Sequence, residues 1–153
     1  APRLPELLAD LAKVEVGGRA NHDAAISTAE EFIGRRGLLV LLSDGHDLEH
    51  GLARLVRRIR FANRDGMVCQ ILDADELDLP FADLRRFVDS ESGDEITTMP
   101  GLVRENYRRR MDRFVARQRD DCLRNGTDYE LATTDQNLGD LLAAYLYRRE
   151  AMV

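Results

Sequence analysis

LLVLLSDGHD, residues 38–47, is the stretch of this sequence that decides the fold. Five consecutive aliphatic residues without polar alternation, closed by a Ser-Asp-Gly turn, predict a strand buried on both faces. Open α/β sheets bind ligands in the crevice beyond the carboxyl ends of their strands. Asp44, which follows the predicted strand almost directly, is therefore the first candidate functional residue.

The residues after this stretch predict a second strand that is parallel to the first. Apolar residues at helical spacing predict a helix with Asp47 as its N-cap, and its inward residues are Leu48, Leu52, Leu55, Val56 and Ile59. Residues 67–72 then form another apolar run, which ends in Asp73. A helix between two buried-type strands predicts a βαβ unit, whose two strands are parallel.

The remaining segments complete one α/β domain. The other predicted elements are a helix over residues 4–14, a helix that ends at Gly34, a hairpin with strands at 86–89 and 95–98, a long helix at 101–125, a strand at 128–132 and a closing helix that packs Leu138, Leu141, Leu142, Tyr145 and Leu146. Over residues 1–153 this order predicts a single three-layer, Rossmann-like domain. It consists of a parallel sheet flanked by helices with an appended β-hairpin.

The composition argues against several classes of protein. With a net charge of −6, the chain lacks the basic surface that unspecific binding to nucleic acid or to an anionic membrane requires. No apolar run approaches the ~18 residues of a membrane span. Cys69 and Cys122 lie in apolar-patterned segments, which predicts free buried thiols in a reducing compartment. A cytoplasmic location is therefore expected.

Four runs of sequence, in this order and spacing, resemble a bacterial family called domain of unknown function 58. The runs are LLVLLSDGHD, CQILDADELDLPF, RFVDSESGDEI and DYELATTDQNLGDLLAAYL. The resemblance extends from about Leu4 to Tyr147, and that family is related to the von Willebrand factor A domain. It implies a Rossmann-like sheet and, in relatives, a metal-ion-dependent adhesion site at the strand tips.

That adhesion site takes residues from three loops, and this chain matches one of them. The relatives use an Asp-x-Ser-x-Ser loop after the first strand, a Thr from a second loop and an Asp from a third. Asp44 matches the third, whereas residues 18–23, near the second loop, contain no Thr. Because Mg²⁺ requires near-octahedral oxygen coordination, one carboxylate holds it poorly, so Asp44 is interpreted as a vestigial site position.

The resemblance also implies that the first strand of the family fold lies outside these residues. The chain is therefore expected to be a truncated von Willebrand factor A-like domain, cut from a longer protein that could carry a membrane anchor. The missing strand would lie beside the predicted edge strand Leu38, Leu39, Val40, Leu41 and Leu42. An apolar strand with unpaired backbone groups is a template for pairing with another chain, so self-association of the isolated segment is expected.

All three histidines fall in two loops that are predicted to share one end of the sheet. The candidate ligands are Asp44, His46, Asp47 and His50, together with His22 and Asp23. Imidazole and carboxylate in this mixture suit Zn²⁺ or another transition metal. The other interpretation, which is favoured, is that Asp47 caps the helix, the histidines are solvated and Asp44 holds a turn. No cofactor is then expected, and Mg²⁺ or Zn²⁺ stays the alternative.

Two charged segments could bind a partner. The acidic residues after the second strand, Asp73, Asp75, Glu76 and Asp78, could dock a basic partner surface, or they could simply form a solvated connection. The arginines of residues 104–119 could contact phosphate. Pairing with Glu105, Asp112 and Asp120 on a solvated helix face is favoured instead, and no nucleic-acid partner is expected.

The function that these observations favour is non-enzymatic. Ser43 lacks the Gly-x-Ser-x-Gly elbow of a nucleophilic serine, and the sequence contains no phosphate loop or dinucleotide fingerprint. A protein-interaction module is therefore predicted. Family members are commonly encoded beside ATPases of the MoxR class, so the resemblance implies a partner in protein assembly or maturation driven by an AAA+ ATPase. The alternative is a metal-dependent hydrolase that uses Asp44, His46 and His50.

Overall fold

The computed structural model describes residues 4–15, 21–32, 37–48, 51–61, 64–89 and 92–150. The helices are α1 (Leu4–Leu11), α2 (His22–Phe32), α3 (Leu52–Phe61), α4 (Ala74–Asp78), α5 (Pro100–Arg124) and α6 (Leu138–Glu150). The strands are β1 (Leu38–Ser43), β2 (Asp65–Leu72), β3 (Arg85–Val88), β4 (Glu95–Thr98) and β5 (Asp128–Thr133). Each predicted element is present, and α4 is an addition to them.

The central sheet has the order β1-β2-β5, and both strand pairs are parallel. Val40 of β1 pairs with Met67 of β2, which pairs in turn with Asp128 of β5. The predicted βαβ unit is therefore confirmed, and the carboxyl ends of the three strands lie at one edge of the sheet. The hairpin is also confirmed, but β3 and β4 form a separate two-stranded antiparallel sheet and do not join the parallel one.

Helices cover both faces of the sheet and form the three predicted layers. On one face, α3 buries the apolar stripe Leu52, Leu55, Val56 and Ile59 against Val68 of β2 and Cys122 of α5. On the other face, Leu141 and Tyr145 of α6 pack on Met67, Cys69 and Ala132. Both cysteines are free and buried, as predicted. None of the described helices is long and apolar enough to cross a membrane.

Strand β1 is not buried on both faces, so that first interpretation of the aliphatic run is wrong. Leu39 and Leu41 pack against the core under α3, but Leu38, Val40 and Leu42 are 39%, 47% and 64% exposed. The reason is position in the sheet: α6 covers β2 and β5, and β1 has only β2 as a strand partner among the described residues. The run therefore forms an edge strand, as the family resemblance implied.

The predicted cap of α3 is also wrong. Asp47 lies inside a short 3-10 turn, His46–Leu48, and α3 begins only at Leu52. Two backbone N–H groups of the first turn of α3, those of Arg54 and Leu55, donate to the carbonyl of Gly51. Asp47 is thereby separated from the start of the helix and is left at the surface between two helices.

Candidate functional site: the strand-tip edge

The turn after β1 is built by its own side chains. The Oδ1 of Asp44 accepts a hydrogen bond from the backbone N–H of His46 at 3.0 Å, and the Oγ of Ser43 accepts one from the N–H of Gly45 at 3.0 Å. Gly45 has a φ of +86°, a conformation that side-chain-bearing residues rarely adopt. The carboxylate of Asp44 therefore holds this turn, which is the second of the two roles predicted for it.

Hydrogen bonds from Gln70 and Gln118, whose side chains are buried, fix the same turn from the side of the core. Gln70, which is 1% exposed, donates from Nε2 to the carbonyl of Asp44 at 2.7 Å. Gln118, which is 4% exposed, donates from Nε2 to the carbonyl of Gly45 at 3.0 Å. The hydroxyl of Tyr129 donates to Oε1 of Gln70 at 2.6 Å. Two elements, β2 and α5, thus bond directly to the turn, and β5 supports it through Gln70.

Sequence reasoning missed this network, although one signal for it is visible. Gln70 interrupts the apolar run MVCQIL and follows four buried residues of β2, Gly66 to Cys69. A glutamine in such a position must find hydrogen-bond partners, because an unpaired buried amide costs about 1–3 kcal/mol. Gly45 shows how closely the partners approach, since a Cβ there would lie 3.1 Å from Nε2 of Gln70 and 3.2 Å from Nε2 of Gln118.

The predicted histidine cluster is divided between two sides of the turn. The ring of His46 stacks on Phe114 of α5, with centroids 5.2 Å apart and an interplanar angle of 6°. Asp47, the residue after His46, faces away from this stack. Together with His22 it lines a cavity of about 380 Å³ between α2 and α3. Nε2 of His22 is buried and has no hydrogen-bond partner among the described residues. His50 lies outside the described residues.

The donor set therefore does not fit a metal ion in the part of the chain that the structure describes. No three histidine, cysteine, aspartate or glutamate side chains are grouped there so that they could hold one. Asp23, the other predicted acidic ligand, pairs with Arg54 of α3 at 2.8 Å. Asp44 offers a single carboxylate whose Oδ1 already accepts a hydrogen bond from the backbone, which leaves a hard cation far from octahedral coordination.

The acidic segment after β2 forms the short helix α4, because its carboxylates cap that helix. Asp73 and Glu76 make a capping box: Oδ1 of Asp73 accepts from the N–H of Asp75 at 2.8 Å, and Oε2 of Glu76 accepts from the N–H of Asp73 at 2.9 Å. Asp78 pairs with Arg108 of α5 at 2.9 Å. Three of the four acidic candidates thus have internal structural roles, and all four are exposed.

Asp73 also joins the tips of β2 and β5. The hydroxyl of Thr134, just after β5, donates to Oδ2 of Asp73 at 2.5 Å, and the backbone N–H of Thr134 donates to the carbonyl of Leu72. Two hydrogen bonds lower the pKa of the Asp73 carboxyl: the larger effect comes from the Thr134 hydroxyl and the smaller from the backbone N–H of Asp75. The Asp73 side chain therefore links the carboxyl ends of β2 and β5.

We expect the Thr134→Val substitution to raise the pKa of Asp73 toward its ordinary value. Ionised Asp73 stabilises the fold above its unfolded-state pKa of about 3.9, and that contribution is lost as pH falls through its lower folded-state pKa. NMR titration of the Asp73 carboxyl measures the change, with Thr133→Val as the control. An Asp73 pKa that is the same in the wild type and in Thr134→Val would show that the hydroxyl is not the cause.

The arginines of α5 do not all pair with acidic residues as predicted. Arg109 pairs with Glu105 at 3.0 Å, and Arg124 pairs with Asp120 at 2.9 Å. Arg104 takes a different role, since its guanidinium donates to the carbonyls of residues 79–81 and anchors the segment before the hairpin. Four further arginines form no ion pair with the described residues: Arg110, Arg113, Arg117 and Arg119.

A parallel sheet with helices on both faces and a rigid polar turn at its strand tips defines a Rossmann-like α/β domain. The chain belongs to the family described as protein of unknown function DUF58, whose family model matches residues 3–121. This match confirms the predicted family and covers three of the four sequence runs, whereas the run at residues 128–146 lies beyond the matched range. No curated protein and no solved structure matches the chain. The relation to von Willebrand factor A domains stays a prediction.

Proposed function

We propose that this domain is a non-enzymatic protein-interaction module that contacts its partners through the β1 surface, defined as Leu38, Val40, Leu42 and the outer backbone edge of β1. The single observation that carries this proposal is the exposure of these three aliphatic side chains on an edge strand. Ile71 of β2, 36% exposed, lies on the same face of the sheet and extends the apolar area. Contiguous exposed apolar residues of this kind mark protein contact sites.

The opposite edge of the sheet supports this assignment by contrast. On β5, Glu130 pairs with Arg148 of α6, and Asp128 lies 3.7 Å from Arg149. Charged residues on an edge strand discourage pairing with another chain. The sequence of β1, LLVLLS, contains no charge at all. One edge of the described sheet is thus protected against a further strand, and the other presents apolar side chains and backbone groups to it.

The partner that we propose is an AAA+ ATPase of the MoxR class, with the domain as an adaptor in protein assembly or maturation. This part of the proposal rests on the family, whose members are commonly encoded beside such ATPases. An interaction role is favoured over a metal-dependent hydrolase because Oδ1 of Asp44 is engaged in its turn and no three histidine, cysteine, aspartate or glutamate side chains of the described residues are grouped to hold a metal ion.

We expect this protein to retain the cognate MoxR-type ATPase in a pull-down, and Leu42→Lys to weaken that binding about tenfold or more. A lysine at Leu42, the most exposed of the three aliphatic residues of the β1 surface, would bury an unpaired charge at the contact. Leu84→Lys is the matched control, because Leu84 is 66% exposed and Leu42 is 64% exposed. Absence of any association with the ATPase would contradict the proposed partner, and equal weakening by both substitutions would contradict the β1 surface.

A further inference from the structure

Three arginines on one face of α5 form a basic stripe that pairs with no acidic side chain in the described part of the chain. Arg110, Arg113 and Arg117 are spaced i, i+3 and i+7, so they lie on neighbouring turns of the same face. All three are exposed, and none forms an ion pair within the described ranges. Nε of Arg113 donates only to the backbone carbonyl of Arg109, at 3.1 Å. This stripe is a local concentration of positive charge on a chain whose net charge is −6.

The stripe borders a groove of about 410 Å³ with an aromatic floor. Phe114, stacked against the ring of His46, and Tyr107 form this aromatic floor beside the buried Met111. The hydroxyl of Tyr107 donates to the carbonyl of Glu76 at 2.7 Å, which fixes that ring against α4. Guanidinium groups and aromatic rings therefore share one concave surface. We call this surface, formed by the three arginines with His46, Tyr107 and Phe114, the arginine groove.

The strand-tip network holds the arginine groove in shape. His46 directly follows Gly45, whose carbonyl accepts the hydrogen bond from Gln118 of α5. The same helix supplies the arginines and Phe114, so the turn and the stripe are fixed to each other at this point. A binding surface that is already ordered loses less conformational entropy when a ligand binds, which favours affinity.

The linear arrangement of the charges indicates the kind of ligand. The seven residues from Arg110 to Arg117, at about 1.5 Å each, extend over about 10 Å of the helix axis. A single compact anion would need the guanidinium groups to converge on one point, whereas an extended peptide places every second side chain about 7 Å apart on one side. Carboxylates are matched by the paired N–H donors of arginine. The acidic character of the whole chain disfavours a nucleic acid.

We propose that the arginine groove binds an extended, carboxylate-rich peptide segment of a partner protein. The groove is lined by α5 and the turn after β1, so this site is distinct from the β1 surface. The three guanidinium groups pair with carboxylates of the segment, and its aliphatic side-chain stems lie on the aromatic floor.

The test is fluorescence anisotropy with a labelled peptide of alternating glutamate and alanine, titrated with the 153-residue chain. We expect binding that weakens as salt is added, since partly exposed ion pairs are screened. The double substitution Arg110→Gln/Arg117→Gln is expected to raise the Kd about tenfold or more. The matched control is Arg57→Gln/Arg60→Gln, which removes two exposed arginines of α3 that line a different cavity. It is expected to leave the Kd within about twofold, because it changes only the long-range charge.

Three results would overturn the proposal. The first is an equal rise in Kd for the two double variants, which would mean attraction by overall charge alone. The second is equally tight binding of a peptide with glutamine in place of glutamate. The third is tighter binding of inorganic phosphate or of a single-stranded oligonucleotide than of the acidic peptide. Leu42→Lys is expected to bind the peptide as the wild type does, so failure of the β1 surface and failure of the arginine groove give different results.

Discussion

Replacing Gln70 with leucine is expected to lower the free energy of unfolding by about 2–4 kcal/mol, because two partly buried groups lose their partner. Gln70 donates to the carbonyl of Asp44 and accepts from the hydroxyl of Tyr129, and it is 1% exposed. Leucine has a similar volume, so the substitution removes hydrogen bonds and leaves little cavity. Urea denaturation followed by circular dichroism measures the change.

The matched control is Tyr129→Phe, which removes one donor and leaves Gln70 bonded to the turn. Its expected cost is about 1 kcal/mol, clearly less than that of Gln70→Leu. Burial raises the pKa of the Tyr129 hydroxyl, in agreement with a neutral donor inside the network. If Gln70→Leu were as stable as the wild type, the network would not be what holds the turn after β1.

The second large effect is expected at the β1 surface, where Leu42→Lys should abolish self-association of the isolated chain. Two copies related by a twofold axis would pair their β1 strands antiparallel, and each Leu42 would then lie inside the contact. A lysine at this position brings a charge from each copy into the contact, and we expect the dimer Kd to rise more than about tenfold. Sedimentation velocity of the wild type and the variant measures this change.

Leu84→Lys serves again as the control, since it adds the same charge at a residue of similar exposure. It is expected to associate as the wild type does. A wild-type chain that stays strictly monomeric at high micromolar concentration would remove the proposed pairing. Self-association and ATPase binding are both proposed to use the β1 surface, so the ATPase should shift the dimer toward monomer.

Much of the fold was predictable because its signals are local. The aliphatic run of β1 and the helical spacing of Leu52, Val56 and Ile59 are patterns of residues close together in sequence. Together with the next apolar run they predict the parallel pairing of β1 with β2. Burial was harder to predict, since an uninterrupted apolar run has the same pattern in a central strand and in an edge strand.

The candidate site was predictable only where one short segment forms it. The D-x-x-E spacing of Asp73 and Glu76 is the local signature of a capping box, and it accounts for the helix that the acidic segment forms. The buried network joins residues that are up to 73 positions apart, so no local pattern reveals it. Spacing also could not show that His46 and Asp47, adjacent in sequence, face different cavities.

Hydrogen exchange at the backbone amides of β1 tests the central claim most directly, because it reports on the edge itself. At low concentration the outward-facing amides of β1 should exchange fast, while those bonded to β2 should be protected. At high concentration, or with the ATPase present, we predict that the outward amides become protected in the wild type and stay unprotected in Leu42→Lys. Outward amides that exchange at the same fast rate under all of these conditions would contradict the β1 surface as a protein contact site.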